Sequence, residues 1–476
     1  MSFFGREQEI RKLMQLKQKN KASLVCVLGR RRIGKSFLIQ QLGKKYKKYF
    51  EVQGLGPNES ESNTRAQLDH FAFELSEQFN IKRPYFRDWD EALSQLAELT
   101  KSNEVLILLD EISWMGKGDP FFAAKIKSAW DSRFKKNPKL MLVLCGSVSA
   151  WIEKNILNDT SFEGRISLEL NIKELELPQC NRFFSATVGD FEKMIALSIT
   201  GGVPKYLEEI PKDEPISRSM ANLCFSPSEI LFNDFRKIFN DIFQRKSKTY
   251  EKIVRAALDR KLSPLELAKK AKIEYNSDFL EAIHHLELSG FLSRDYYFNP
   301  IKNDISKFSC IRVKDNYLRF YIKQIEPLKE KILSGGISIQ DLRDLKGIES
   351  ILGFQFENLI LANKHLIHKE LKIEPNQLVA STPYSQKKTT LNKGACQVDL
   401  LIQTQLDVFF VCEFKCQKKI GKKIINEVQR KIDVLHVPKR SSIKPILVYM
   451  GDLDPEDEAE IMSYFYNTIY FGDLLK

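Results

Sequence analysis

Short apolar runs at residues 23–28, 105–109 and 140–145 have the length and leucine/valine content of strands buried on both faces of a parallel sheet. The first passes through a glycine-bounded loop into a helical pattern carried by Leu38, Ile39 and Leu42. The rhythm changes after residue 250. Helical periodicity covers 250–257, 263–271 and 276–289, with Ser263 as an N-cap and Pro264 at the first helical position. Strand-like pieces at 290–292 and 296–298 follow, then residues 312–327 place Tyr317, Phe320 and Tyr321 at helical spacing. Further on, the pattern predicts a helix over 353–365, strands over 397–402 and 408–415, and a helix over 424–435. The fold class expected from this alternation is an α/β multidomain chain. Breaks near Pro178, at residues 245–249 and at Ser334, Gly335 and Gly336 divide it into 1–178, 179–245, 246–335 and 336–476.

A length of 476 residues agrees with several domains of about 150 residues each. With 43% hydrophobic and 29% charged residues the chain is neither disordered nor collagen-like. The excess of 74 Lys+Arg over 62 Asp+Glu leaves a net charge of +12, compatible with a polyanionic partner and with many ordinary proteins. No apolar run approaches the ~20 residues of a membrane span, and no signal-peptide core follows the start, so the expectation is a cytoplasmic protein without a membrane partner. The 8 cysteines include no C-x-x-C pair, which favours reduced, buried thiols over disulfides or zinc. His365 and His368 share a helix spacing, but a packed or solvated pair is the better reading than a metal site.

The strongest chemical signal is the loop after the first strand. Gly29, Arg30, Arg31, Arg32, Ile33, Gly34, Lys35 and Ser36, with Phe37 next, form G-x-x-x-x-G-K-S between a strand and a helix. Glycines let backbone N–H groups turn toward phosphates, and the helix start adds its positive end. Lys35 is expected on the β- and γ-phosphates and the Ser36 hydroxyl on Mg²⁺, making ATP and Mg²⁺ the expected cofactors. The run 105–109 ends in Asp110 and Glu111, one for the Mg²⁺ shell and one to orient or deprotonate the attacking water. Ser147, ending the run 140–145, is placed either as a γ-phosphate contact or as a turn residue.

These motifs resemble the AAA+/STAND lineage of P-loop ATPases, in particular the archaeal-type ATPases. Phe4, Gly5, Arg6, Glu7 and Glu9 are similar to that family's N-terminal box. Cys145, Gly146 and Ser147, and Gly164, Arg165 and Ile166, match further segments, and Gly201 to Tyr206 resembles the segment of its helical lid. The resemblance implies an ATPase domain over 1–178 and a lid over 179–245. It also implies Arg165 as a sensor or finger, against the plainer reading of a surface arginine paired with Glu163. The region 246–335 resembles a winged helix with its linker. The acidic residues of the third helix, Asp278, Glu281 and Glu287, suit docking at least as well as DNA reading.

In the last region Asp399 lies on one strand, and Glu413 and Lys415 lie two apart on the next, hence on one face. Two carboxylates and a lysine on a β-hairpin suit metal-dependent hydrolysis, with Asp399 and Glu413 on Mg²⁺ and Lys415 near the scissile phosphate. The arrangement resembles the PD-(D/E)xK restriction-endonuclease-like core, with Val398 in place of the proline. The resemblance adds Glu357 to the metal shell and a polar position at Gln429. Lys387, Lys388, Lys393, Lys418, Lys419, Lys422 and Lys423 flank the carboxylates as a phosphate-neutralising ring or simply a solvated face. The reading of the whole is an ATP-switched nuclease acting on DNA or RNA. Its alternative is an ATP-dependent regulator that binds nucleic acid or protein and cuts nothing, either one open to an oligomeric or regulatory protein partner.

Overall fold

The computed structural model describes residues 4–56, 63–147, 150–243, 246–386 and 394–476. Backbone contacts divide the chain into two units, one of residues 1–173, 237–248 and 284–290, the other of 174–236, 249–283 and 291–476.

In the first unit the three expected strands and two further ones form a parallel sheet. Its members are β1 (Ser23–Gly29), β2 (Lys48–Gln53), β3 (Val105–Asp110), β4 (Leu140–Ser147) and β5 (Ile166–Ile172), in the order β2-β3-β4-β1-β5. Their alternation sorts side chains onto two faces. Leu24, Cys26, Leu28, Ile107 and Leu109 pack on one, under helices α3 (Thr64–Phe79), α4 (Trp89–Leu99) and α6 (Phe122–Ser132). Val25, Val27, Leu106, Leu108 and Val143 face the other, under α1 (Glu7–Gln18) and α2 (Lys35–Gly43). A short helix, α5 (Ile112–Met115), follows β3 directly.

Trp89 anchors the first face: it is fully buried, with ring centroids 5.5 Å from Phe71 and 4.6 Å from Phe122. Its indole N–H has no hydrogen-bond partner among the described residues. Trp89→Ala is therefore expected to cost about 3–5 kcal/mol in a denaturant melt. Trp89→Phe, which gives up no hydrogen bond, should cost clearly less.

In the second unit, Gly201 closes the helix Asp190–Thr200 in the left-handed conformation (φ 62°), and Pro204 opens the next helix, Pro204–Glu208, after one residue of extended backbone. Helices Ser247–Ala256, Pro264–Ala271 and Ser277–Leu288, of which residues 247–248 and 284–288 are assigned to the first unit, precede a hairpin of β6 (Leu292–Asn299) and β7 (Asp304–Val313). The capping box expected at Ser263 is present, with Glu266 reaching back. Two corrections arise here. The pieces at 290–292 and 296–298 are not two strands of a wing: Leu292 and residues 296–298 share β6, and the partner strand is β7. Residues 312 and 313 end that strand, so helix begins only at Asn316, where Asp315 caps it.

The C-terminal sheet contains β8 (Leu378–Gln386), β9 (Cys396–Thr404), β10 (Val408–Ile420), β11 (Ser442–Leu453) and β12 (Asn467–Tyr470), in the order β12-β11-β10-β9-β8. β9 is antiparallel to both neighbours, while β10, β11 and β12 run parallel. Val411 and Leu401 pair across β10 and β9 and pack with Ile424 and Val428 of the helix Lys423–Val434, the cleft helix. The helix expected at 353–365 starts earlier and is two helices, Ile348–Ala362 and Lys364–Glu370, joined at Asn363.

Candidate functional site

In the first unit, parallel strands bring Gly29, Asp110 and Ser147 to one edge of the sheet, with Gly29 and Ser147 paired across β1 and β4. β4 lies between the loop-bearing β1 and the carboxylate-bearing β3. The two motif glycines are required for different reasons. At Gly29 (φ 152°) a Cβ would fall 2.5 Å from the Ile172 carbonyl oxygen, whereas at Gly34 (φ 86°) it would meet nothing within 4 Å. The first holds the loop against β5, and the second leaves room at the start of α2.

Lys35 is buried, and its ammonium donates to the carbonyls of Gly29 and Arg30, each at 3.1 Å. The Ser36 hydroxyl donates to Asp110 Oδ2 at 2.5 Å, and Asp110 Oδ1 accepts from the Glu111 N–H at 2.9 Å. Glu111 sits in the left-handed region (φ 47°), and its Oε2 accepts from the Ser147 N–H at 3.5 Å. Burial raises the Glu111 carboxyl pKa and Asp110 adds to the rise, while Lys35, the Ser147 N–H and Arg31 oppose it. A carboxylate so biased is suited to accept a proton.

Ile33 is fully buried on the α1/α2 face of the sheet, so it packs the loop in place. Arg30 is buried, and Arg31, Arg32 and Phe37 are half-buried around the loop. The N-terminal box ties to this edge through Arg6, which donates to the carbonyls of Ile33 (3.1 Å) and Lys173 (2.6 Å). Arg165 is held elsewhere: its guanidinium bonds Asp131 on α6 (2.9–3.1 Å) and the Ser161 carbonyl (2.8 Å). Its carboxylate partner is thus Asp131 and not the Glu163 of the plainer reading.

The open volume at Gly34, the buried lysine and the adjacent hydroxyl and carboxylate fit a nucleotide phosphate chain with Mg²⁺. Lys35 and the loop would hold the phosphates, and Ser36 with Asp110 the cation.

The second candidate lies in the other unit, in a cleft of about 830 Å³ walled by β9, β10, the cleft helix and the helix Ile348–Ala362. The β9–β10 ladder ends at Cys412 and Leu400, and one more step in the same register sets Glu413 opposite Asp399. There Asp399 Oδ2 accepts from the Phe414 N–H at 2.8 Å. Glu413 is buried. Its Oε1 lies 3.2 Å from Lys415 Nζ, as the i, i+2 spacing requires, and its Oε2 accepts from Lys431 of the cleft helix. Lys415 also bonds Glu427 at 3.0 Å. Burial, then the charges of Glu413 and Glu357, push the Asp399 carboxyl up to about 7.

Glu357 lines the same cleft but pairs with Lys261 at 3.1 Å. Among the described residues, no three His, Cys, Asp or Glu side chains gather closely enough to hold a metal by themselves. Asp399 and Glu413, both lining the cleft, nevertheless fit Mg²⁺, which commonly takes one or two carboxylates and completes its shell with water and phosphate oxygens.

Glu427, Arg430, Lys431 and Val434 line the cleft at i, i+3, i+4 and i+7 of one helix. This periodicity turns Gln429 away, onto Asp433 (2.7 Å) and the Tyr464 hydroxyl (2.9 Å), so the polar position expected there is not part of the cleft. Of the lysine ring, Lys418, Lys419 and Lys422 pair with Glu349, Asp454 and Asp457, and Lys387, Lys388 and Lys393 lie outside the described residues. His365 and His368 diverge, to Glu176 (3.2 Å) and the Ser381 hydroxyl (2.9 Å). All 8 cysteines are thiols outside any disulfide, five of them buried and Cys310, Cys396 and Cys416 half-buried.

Sheet order, phosphate-type loop and paired acidic strand end together define the first unit as a P-loop-like ATPase fold. Residues 3–210 match the model of a family described as an ATPase domain predominantly from Archaea, and this part of the chain is an archaeal-type ATPase domain. An uncharacterized protein of Methanocaldococcus jannaschii is 23% identical over 384 residues, 79% of this chain and 78% of that one. Among solved structures, the Walker-type ATPase of Pyrococcus abyssi aligns over 67% of this chain and 96% of its own, at 18% identity and a TM-score of 0.44. Cdc6p of Pyrobaculum aerophilum aligns over 70% and 96%, at 15% identity and a TM-score of 0.34. No helix among the described residues is long and apolar enough to cross a membrane.

Proposed function

We propose that the chain is an ATP-hydrolysing switch that governs a metal-dependent nuclease. At the first site Lys35 neutralises the phosphate chain, and Glu111 orients the attacking water and takes its proton. Mg²⁺, when bound, supplies charge stabilisation at the phosphates and, in the second cleft, an acidified water. In that cleft Asp399 and Glu413 hold the cation, and the Lys415 ammonium faces the charge that develops on the scissile phosphate. The observation carrying the nuclease reading is the convergence of Asp399, Glu413 and Lys415 on one side of the β9–β10 hairpin in an open cleft. The helical region fits a winged helix used for docking, since the helix that would otherwise read DNA carries Asp278, Glu281 and Glu287.

A second reading, a nucleic-acid- or protein-binding regulator that does not cut, draws on one observation: Glu413 and Glu357 already have lysine partners. The deciding experiment offers plasmid DNA, single-stranded DNA and RNA to wild type and Lys415→Ala, with Mg²⁺ or Mn²⁺ and with or without ATP. Cutting by wild type is expected to fall at least about a hundredfold in Lys415→Ala. Intact ATP hydrolysis with no cutting of any polymer favours the regulator.

A further inference from the structure

The second cleft contains two lysines where its sequence pattern shows one. Lys431 and Lys415 each hold one oxygen of the buried Glu413 carboxylate. Glu427, about half exposed at the rim, receives Lys415 at 3.0 Å and lies 3.7 Å from Lys431. Two carboxylates and two ammonium groups thereby close a charge-neutral square, with Asp399 outside it. A divalent cation placed between Asp399 and Glu413 needs an oxygen of Glu413 that an ammonium now occupies. Like charges a few ångströms apart in a partly desolvated cleft repel strongly, so one ammonium has to leave.

We infer that Lys431 is the resident counter-ion of Glu413 and that its move from Glu413 to Glu427 opens the cation position. The inference rests on the nuclease reading of this cleft. Lys431 is the better candidate to move. It belongs to the cleft helix and already lies near a second acceptor on the preceding turn, four residues away. Lys415 shares a strand with Glu413, which fixes their spacing whatever else binds. Lys431 is thus a positioning residue: it keeps a buried carboxylate satisfied and correctly aimed until the cation arrives. Glu427 is the acceptor that makes its departure inexpensive.

The test measures Mn²⁺ binding to the full-length protein by electron paramagnetic resonance or calorimetry, together with the Mn²⁺ dependence of cleavage. Lys431→Met removes the competing charge and is expected to tighten Mn²⁺ binding about tenfold. The Mn²⁺ concentration for half-maximal cleavage should drop in step. Lys431→Arg, which keeps the charge, should stay near wild type. Glu427→Gln removes the alternative acceptor and is expected to weaken binding several-fold, the opposite sign. A lysine with only a structural role would lower cleavage at every Mn²⁺ concentration without tightening binding, and that result, or unchanged binding in Lys431→Met, overturns the inference. If Lys431→Met does not fold, the Glu427→Gln result decides: unchanged or tighter binding overturns it. Wild type that shows no Mn²⁺ binding sensitive to Asp399→Asn sinks the nuclease site itself, a failure distinct from that of Lys431.

Discussion

Lys35→Ala is expected to reduce ATP hydrolysis at least about a hundredfold, the scale of losing a charged donor aimed at a developing negative charge. In the structure the Lys35 ammonium spans the carbonyls of Gly29 and Arg30, so it is already inside the loop where a phosphate chain would bring its own oxygens. Removing it deletes the positive charge and also leaves two carbonyls without that donor, so nucleotide affinity should fall along with turnover. Glu111→Gln separates the two effects. Its carboxyl is biased toward proton uptake by burial beside Asp110, and the amide keeps the shape while losing the base. Nucleotide binding near wild type with hydrolysis largely lost is the expected result. Steady-state phosphate release and nucleotide titration on both variants measure this. Wild-type hydrolysis by Lys35→Ala would remove the loop from the chemistry.

β1, β3, β4, β9, β10 and the phosphate loop were legible because each is written locally, whereas β2 and β5, partly exposed edge strands, have no such apolar run. Val25 and Val27 face one core while Leu24, Cys26 and Leu28 face the other, which is why the sequence shows an unbroken apolar run there. Equally local is the contact of Glu413 with Lys415, which follows from two-residue spacing on one strand. The pairing of Asp399 with Glu413 needed only the assumption of a hairpin. Less legible was everything set by packing between elements. Lys431 could have been suspected, because Glu427 and Lys431 lie four apart on an amphipathic helix after the Glu-x-Lys strand. Gln429 lies outside the cleft, since helix rotation turns it from the cleft face. The Lys261–Glu357 and Arg165–Asp131 pairs carry no local signal: their partners are distant in sequence and meet only because of tertiary placement. Residues 312–313 misled for another reason. Ile311 and Val313 satisfy a strand, and the aromatics just beyond satisfy a helix, and only the β6 partner fixes where one ends.

Asp399→Asn should abolish cleavage while making the metal-free protein more stable. With its carboxyl raised from the ordinary 3.8 to about 7, the folded state binds a proton more tightly than the unfolded chain does. The associated stabilisation is present below about pH 4 and is lost as pH rises through about 7, because the folded protein must then keep a carboxylate charged beside Glu413 and Glu357. Asparagine keeps a carbonyl for the Phe414 N–H and carries no charge. The expected gain is about 1–3 kcal/mol near pH 8, falling to roughly a third of that near pH 5 and vanishing only below about pH 4, read from denaturant melts at pH 8 and pH 5. Mg²⁺ should reverse the ranking. A cation that binds only the folded cleft stabilises wild type in proportion to its occupancy, and the asparagine variant should show little of that response. On the proposed reading, the cost of an ionised Asp399 in the metal-free fold is what a bound cation would relieve. A variant less stable than wild type at both pH values, or one equally stabilised by Mg²⁺, would mean that Asp399 serves the hairpin and not a cation.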